Sequence, residues 1–199
     1  MGCICAACTL DDRGLCPFCR APNPTSDVEH VERIKKRVEG GDAVAMYNLG
    51  CYYNHGECGL PQHLYNAMEL WEQAGELGLS EAYHNVGVAY TSSQFLERDM
   101  EKATYYFELA AMGGDAKSRH NLGVFERNAS NVSRAVKHWM ISAGAGDDKS
   151  LSEIRDCFMN GHATKDDFEK ALRVHKDAKD EMRSAHREAY LSTILSSNH

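Results

Sequence analysis

Five of the eight cysteines in the chain lie within its first 22 residues, MGCICAACTLDDRGLCPFCRAP. Cys5 and Cys8 form one C-x-x-C pair, and Cys16 and Cys19 form a second pair after a spacer of seven residues. Cysteine thiolates in such pairs are common zinc ligands, and a structural zinc ion takes four ligands. Spacing alone therefore predicts a metal site, with zinc as the expected cofactor.

Composition narrows the classes of protein to which the chain could belong. Its formal net charge is −7, and acidic and basic residues are interspersed without a long run of either sign, so nucleic acid is not an expected partner. No apolar stretch approaches the roughly 20 residues that span a bilayer, and we see no signal peptide. We therefore expect a cytoplasmic or nuclear protein. Cysteines stay reduced in those compartments, which favours metal binding over disulfides.

Most of the chain beyond residue 40 repeats a single pattern. GDAVAMYNLGCYY (41–53), LSEAYHNVGVAY (79–90) and DAKSRHNLGVFE (115–126) each carry a small residue, three others, an aliphatic residue and then glycine. A second helical pattern follows each of them and begins at Ala67, Ala103 and Ala135, which lie 36 and 32 residues apart. A fourth copy departs from the pattern, because Arg155 stands in place of the glycine. The period and the helix-favouring composition predict stacked helix pairs.

The physical basis of the pattern is close helix packing. Small residues let neighbouring helices approach, large ones such as Trp71 and Trp139 fill the space between them, and late glycines suit helix C-termini. One pair cannot bury its apolar face alone, so several pairs must stack into an all-α solenoid. The expected organisation is a cysteine segment (1–20), a linker (21–27), a capping helix (28–40), four repeats (41–78, 79–114, 115–146 and 147–180) and a C-terminal capping helix with a tail (181–199).

The repeat resembles the Sel-one-like repeat, a relative of the tetratricopeptide repeat. The pattern A-x-x-x-L-G-x-x-Y, followed by K-A-x-x-Y-F-x-x-A-A-x-x-G-D-A, matches best in the second copy. The third copy departs from the family pattern, because its interhelix loop is shorter and Glu126 stands where tyrosine is expected. The resemblance implies a right-handed solenoid and an adaptor that binds a partner protein or peptide on its concave face.

The cysteine segment resembles the second half of a RING finger, the zinc module of many ubiquitin ligases. By this resemblance the two pairs, Cys5/Cys8 and Cys16/Cys19, belong to different zinc ions, each of which lacks two ligands. Pro17 stands where RING fingers contact a ubiquitin-conjugating enzyme, and Arg20 stands where many of them carry an arginine that activates ubiquitin. A RING-like start followed by these repeats resembles a family of algal and diatom proteins. A ubiquitin ligase whose repeats select the substrate is thus the alternative function, provided that the RING is complete.

The same segment admits two further interpretations. It could be a remnant of a zinc module that no longer binds metal. Alternatively, Met1-Gly2-Cys3 with a further Cys5 is typical of acylated N-termini, which would make the chain a membrane-associated scaffold, although Ala6 replaces the expected serine or threonine.

Asparagine recurs at one helical position, at Asn48, Asn85 and Asn121, although it is a poor helix former. Amides along a groove could hydrogen-bond the backbone of an extended peptide, because each both donates and accepts. The alternative is that each amide serves a neighbouring helix or loop.

A second set of metal-ligating residue types lies within the first repeat, at Cys51, His55, Cys58 and His63. Its spacing matches no zinc signature, so we interpret Cys51 as a packed thiol. We find no catalytic motif in the chain and do not predict an enzyme unless the RING is complete.

Overall fold

The computed structural model describes residue 24 and residues 26–92 and 96–197, with side chains up to residue 185 apart from Ser92. The described residues form helices and no strands, which confirms the predicted all-α class. The helices are α1 (Asp27–Glu39), α2 (Ala43–His55), α3 (Leu64–Glu76), α4 (Ser80–Ser92), α5 (Met100–Met112), α6 (Ala116–Asn128), α7 (Val132–Gly144), α8 (Asp148–Met159) and α9 (Lys165–Ser197). Among them, none is both long and apolar enough to cross a membrane.

Contacts divide the described part of the chain into two compact units, one up to residue 103 and one from residue 104 onward. In the first unit α1 packs on α2, α2 on α3 and α3 on α4. In the second unit α6 packs on α7, α7 on α8, and α9 on both α7 and α8. Consecutive helices are therefore neighbours within each unit, as a repeat of helix pairs requires.

Glycine followed by aspartate makes the sharp turn between one helix pair and the next. Gly41, Gly114 and Gly146 have φ angles of 77°, 91° and 86°, a left-handed conformation that ends the preceding helix. The aspartate that follows accepts hydrogen bonds from the first turn of the next helix. Asp42 accepts from the amides of Val44 and Ala45 at 3.0 and 3.1 Å, and Asp115 and Asp147 make the corresponding bonds. Stop and start signals thus lie on adjacent residues.

The centre of two helix pairs is a contact between glycine and tryptophan. A Cβ atom added at Gly50 would lie 2.6 Å from Trp71 Nε1, and one added at Gly123 would lie 2.4 Å from Trp139 Nε1. Only glycine leaves room for these rings, which are 3% and 0% exposed. The indole N–H groups of Trp71 and Trp139 donate to the Tyr47 and His120 carbonyls, at 3.2 Å in both pairs. The close helix packing predicted from the sequence is therefore the contact of a tryptophan indole with the backbone of a glycine on the neighbouring helix.

The fourth pair, α8 with α9, is built differently. Arg155 is exposed, and His175 stands on α9 where the tryptophan would be. His175 Nε2 lies 2.9 Å from Asp148 Oδ1, and Lys179 donates to the other oxygen of the same carboxylate at 2.9 Å. Ile154, fully buried, supplies the apolar centre. Because His175 bonds Asp148 and brings no indole onto α8, position 155 does not have to be glycine.

Helix α9 has 33 residues, whereas α3, α5 and α7 have 13 each. Gly78, Gly114 and Gly146, all with positive φ, follow those three shorter helices, and Met182 stands at the corresponding place in α9. A methionine does not readily adopt the left-handed conformation, so the helix continues. The expected second helix of the fourth repeat and the expected capping helix at 181–199 are in consequence one continuous helix.

Candidate functional site

The predicted zinc ligands Cys5, Cys8, Cys16 and Cys19, together with Pro17 and Arg20, lie outside the described residues. Their roles stay predictions. Among the side chains that the structure describes, up to residue 185, no group of three or more histidine, cysteine or acidic residues could hold a metal ion.

In the second set of metal-ligating residue types, both histidines make hydrogen bonds with backbone groups. His55 Nδ1 lies 2.9 Å from the Cys51 carbonyl one turn earlier. His63 precedes α3, and its Nδ1 accepts from the Asn66 amide at 3.2 Å, which caps that helix. The two imidazoles therefore stabilise helix ends on either side of the loop 56–63.

Asn48, Asn85 and Asn121 are all half-buried at equivalent places on α2, α4 and α6. The Asn85 amide donates to Cys51 Sγ at 3.9 Å and also bonds the Tyr47 hydroxyl, so it links α4 to α2. This contact corresponds to the structural alternative for Asn85, although it does not test peptide binding. We refer to Tyr47, Cys51 and Asn85 as the α2–α4 cluster.

Burial keeps the α2–α4 cluster neutral. It raises the pKa of Tyr47 to about 12, and the neighbouring Cys51 acts in the same direction. Burial also raises the pKa of the Cys51 thiol, against the effect of hydrogen bonds from Trp71 and Tyr47. Because the thiolate is the reactive form of cysteine, Cys51 is a poor nucleophile at neutral pH. The cluster can hydrogen-bond a ligand but is not suited to covalent chemistry.

A buried polar network in the second unit was not predicted from the sequence. Ser150 Oγ lies 2.8 Å from His120 Nδ1, and Asp147 Oδ2 lies 3.5 Å from the same nitrogen. Ser142 donates to the Ala116 carbonyl at 2.8 Å, and its oxygen also lies 3.3 Å from Asp147 Oδ2. The network ties α6, α7 and α8 together.

Serine, histidine and aspartate meet in this network without the geometry of a catalytic triad. In a triad the serine and the aspartate bond opposite nitrogens of the imidazole, whereas Ser150 and Asp147 both approach Nδ1 of His120. Ser150 is also 0% exposed, so no substrate reaches its hydroxyl. Burial lowers the pKa of His120, although the Asp147 carboxylate acts in the opposite direction. The arrangement stabilises the fold rather than activating a nucleophile.

One sequence signal could have revealed the network. Ser118 and Ser150 take the place of Ala45 and Ala82 on the first helices of the pairs, and Ser142 takes that of Ala74 and Ala110 on the second. A fully buried hydroxyl needs a hydrogen-bond partner. Serine at positions that otherwise hold alanine therefore indicates a polar partner nearby.

Comparison with known proteins agrees with this architecture. The Sel1 repeat family model matches residues 43–79 and 80–115. A Sel1 repeat protein from Oxalobacter formigenes superposes with a TM-score of 0.66 at 22% identity, over 78% of this chain and 64% of that one. A protective antigen of uropathogenic Escherichia coli strains, which displays an SLR fold, superposes with a TM-score of 0.64 at 26% identity, over 76% of this chain and 33% of that one.

Two curated proteins are similar in sequence over part of their length. The chain is 38% identical to rat (Rattus norvegicus) DAP3-binding cell death enhancer 1 over 96 residues, which are 46% of this chain and 18% of that protein. It is 28% identical to the Arabidopsis thaliana ERAD-associated E3 ubiquitin-protein ligase component HRD3B over 111 residues, which are 55% of this chain and 17% of that protein. The chain thus spans less than a fifth of either relative. The first two predicted repeats are confirmed as Sel1 repeats, and the helical fold matches that of solved Sel1 repeat proteins.

Proposed function

We propose that the chain is a protein-interaction module whose helical repeats bind a partner protein or peptide. The observation that carries this proposal is the Sel1 repeat architecture of α2–α5, since stacked helix pairs offer extended surfaces that repeat proteins use for binding. Half-buried polar groups such as Asn85 and Tyr47 lie on the first helices of the pairs, where a bound peptide backbone could contact them.

The names of the similar proteins support the same class of function. One of them is called a DAP3-binding protein, and another is called a component of a ubiquitin ligase. Both names describe proteins that act together with other proteins. An adaptor role for this chain is consistent with both, whereas neither name identifies its partner.

Cross-linking of the full chain in cells tests the adaptor role. We expect one or more partner proteins to cross-link to lysines within residues 43–159. Asn85→Ala, tested at a temperature where the variant is fully folded, should weaken capture of the same partner. Val88→Ala, on the same helix and exposed, serves as the matched control. Partner cross-links confined to the lysines of α9, at positions 165, 170, 176 and 179, would contradict the proposal. If Asn85→Ala lowers the melting temperature and leaves capture intact, the amide serves the fold alone.

A second candidate function rests on the cysteine spacing. Under this hypothesis Cys5, Cys8, Cys16 and Cys19 bind zinc once the remaining zinc ligands are supplied. Pro17 then contacts a ubiquitin-conjugating enzyme, and Arg20 helps to activate the bound ubiquitin. The ligase component among the similar proteins supports a link to ubiquitin transfer. Metal bound by thiolates would stabilise such a short segment, which is too small to fold on a hydrophobic core.

Metal analysis and a ubiquitin-discharge assay test this second candidate. Two zinc ions per chain and discharge that is lost in Pro17→Ala would support a complete RING. Zero or one zinc ion would exclude ligase activity for this chain. The paired substitution Cys16→Ser and Cys19→Ser should lower the zinc content, and unchanged zinc would show that other residues bind it.

A further inference from the structure

An open apolar groove lies between α1 and α3 in the first unit, with α2 as its floor. Val38, Leu49, Tyr53 and Leu70 supply its apolar surface. Lys35 and Glu39 stand on the α1 side, and Asn66, Glu69 and Gln73 stand on the α3 side. Its volume is about 420 Å³, which lies within the usual range for ligand pockets. We call this feature the α1–α3 groove.

The second unit closes the equivalent space between α7 and α9. Gly144 occupies on α7 the place that Glu39 has on α1, and a Cβ added at Gly144 would lie 3.8 Å from Val174 Cγ2 of α9. Met140 takes the place of Lys35 and packs against the buried core around Ile154. The charged side chains of α1 thus stand beside an open groove. At the equivalent positions of α7, glycine and methionine allow close packing, and the space is filled.

Charge distinguishes the opening of the α1–α3 groove. Glu39 and Glu69 are exposed on opposite walls, and neither makes an ion pair with any residue in the described part of the chain. Lys35 is already paired with Glu32 at 3.8 Å. Helix α3 carries Glu69, Glu72 and Glu76 and no lysine or arginine. An apolar floor between two unpaired carboxylates is complementary to an apolar group that is flanked by positive charge.

We propose that the α1–α3 groove binds a short segment of a partner protein that presents a leucine-sized side chain next to lysine or arginine. The apolar side chain would be buried against Leu49 and Leu70, where removal of apolar surface from water supplies the affinity. Glu39 and Glu69 would hold the flanking cations and set the orientation of the segment. This proposal rests on the proposed interaction function and names the class of partner.

Fluorescence anisotropy with labelled peptides tests the proposal on the full chain. The probe has two adjacent leucines between lysine pairs, and its controls replace the leucines with serine or the lysines with glutamate. We expect binding of the leucine–lysine probe alone. Equal binding of the serine control, or no binding at roughly 1 mM protein, a concentration that reveals even millimolar affinities, would overturn the proposal.

Variants of the chain locate the binding. Glu39→Gln with Glu69→Gln should weaken the probe about fivefold, since two exposed ion pairs are lost. The matched pair Glu97→Gln with Glu101→Gln removes the same charge elsewhere in the unit and should leave binding unchanged. Asn66→Trp should fill the groove and abolish binding with an unchanged melting temperature. Equal weakening by both glutamate pairs would show unspecific attraction and would overturn the proposal.

The two proposals can fail separately. If cellular cross-links place a partner on the first helices of the pairs while the probe does not bind, the α1–α3 groove is not the contact surface and the interaction function stands. If no partner cross-links to the repeats while the probe binds in the groove, the groove binds such peptides but the adaptor role fails.

Discussion

The pair formed by α2 and α3 and the pair formed by α6 and α7 share one central contact and differ where their helices are joined. In both, glycine on the first helix receives a tryptophan from the second, and the indole N–H donates to a first-helix carbonyl at 3.2 Å. The connection is eight residues long in the first pair (56–63) and three residues long in the other (129–131). The same glycine–tryptophan contact therefore forms whether the loop between the two helices has eight residues or three.

Side-chain hydrogen bonds and an ion pair stabilise the short loop between α6 and α7. Glu126 accepts from Asn131 Nδ2 at 2.9 Å and lies 3.5 Å from Arg134. In α4 and α5 the equivalent residues are Tyr90 and Lys102, whose ammonium lies 5.2 Å from the ring centre. The contact between these two positions is a cation over a ring in the α4–α5 pair and an ion pair in the α6–α7 pair. In both pairs it links the first helix to the second. The departure of Glu126 from the repeat pattern belongs to the shortened loop.

The largest expected effect removes the shared centre. Trp139→Ala should lower the free energy of unfolding by about 3–5 kcal/mol, because it leaves a cavity and removes the hydrogen bond to His120. Urea denaturation followed by circular dichroism measures the change. His175→Ala is the control at the equivalent place in α9, and it should cost far less because its partner Asp148 is exposed. Equal losses for the two variants would show that the tryptophan centre has no special weight.

Adding one methyl group to the same centre should have the next largest effect. Gly123→Ala places a Cβ 2.4 Å from Trp139 Nε1 and should destabilise the protein by about 1–3 kcal/mol through overpacking. Gly144→Ala meets only Val174 at 3.8 Å and should stabilise α7 by up to about 1 kcal/mol through helix propensity. Thermal melting distinguishes the two signs. A stabilising Gly123→Ala would refute the glycine–indole contact.

Acidification should weaken the second unit by a smaller amount. Burial lowers the folded-state pKa of His120 and of His138 below the ordinary 6.5. The unfolded chain therefore binds protons first, and the free energy of unfolding falls as the pH drops below about 6.5. His138 Nδ1 is buried and has no hydrogen-bond partner among the described residues, so a proton there would meet no acceptor from them.

Urea denaturation between pH 8 and about 5.5 measures this dependence, in a range where most carboxylates stay ionised. His138→Gln should flatten the pH dependence, because it removes one of the two histidines whose pKa is lowered by burial. A wild-type stability that rises on acidification would contradict the sign.

The smallest expected effect concerns the loop between α6 and α7. Glu126→Tyr restores the residue of the repeat pattern but removes the acceptor for Asn131 and Arg134, and it should cost about 0.5–1 kcal/mol. Tyr90→Glu is the reciprocal change in α4 and should also destabilise, since its partner Lys102 lies over the ring. If Glu126→Tyr is neutral, the loop holds its shape without the carboxylate.

The sequence predicted the helix pairs because their determinants are local and periodic. Gly50, Trp71, Gly123 and Trp139 stand at fixed spacings, and spacing is what a pattern can detect. The network at Ser150 was not predicted, since a serine among alanines has the size of a packing residue and its partner is distant in sequence. The α1–α3 groove was not predicted either, because it forms only if the side chains of two separate helices leave space between them, and neither helix alone shows this.

Because α9 continues through Met182, the number of residues after position 182 sets the position and direction of its last turn. Between residues 182 and 197 an α-helix advances about 22 Å, at 1.5 Å per residue. Each residue inserted into or deleted from that span would shift a group joined to the last turn by about 1.5 Å and rotate it by about 100° around the helix axis. A probe attached there would therefore change direction periodically with helix length, whereas one attached after a glycine stop would not.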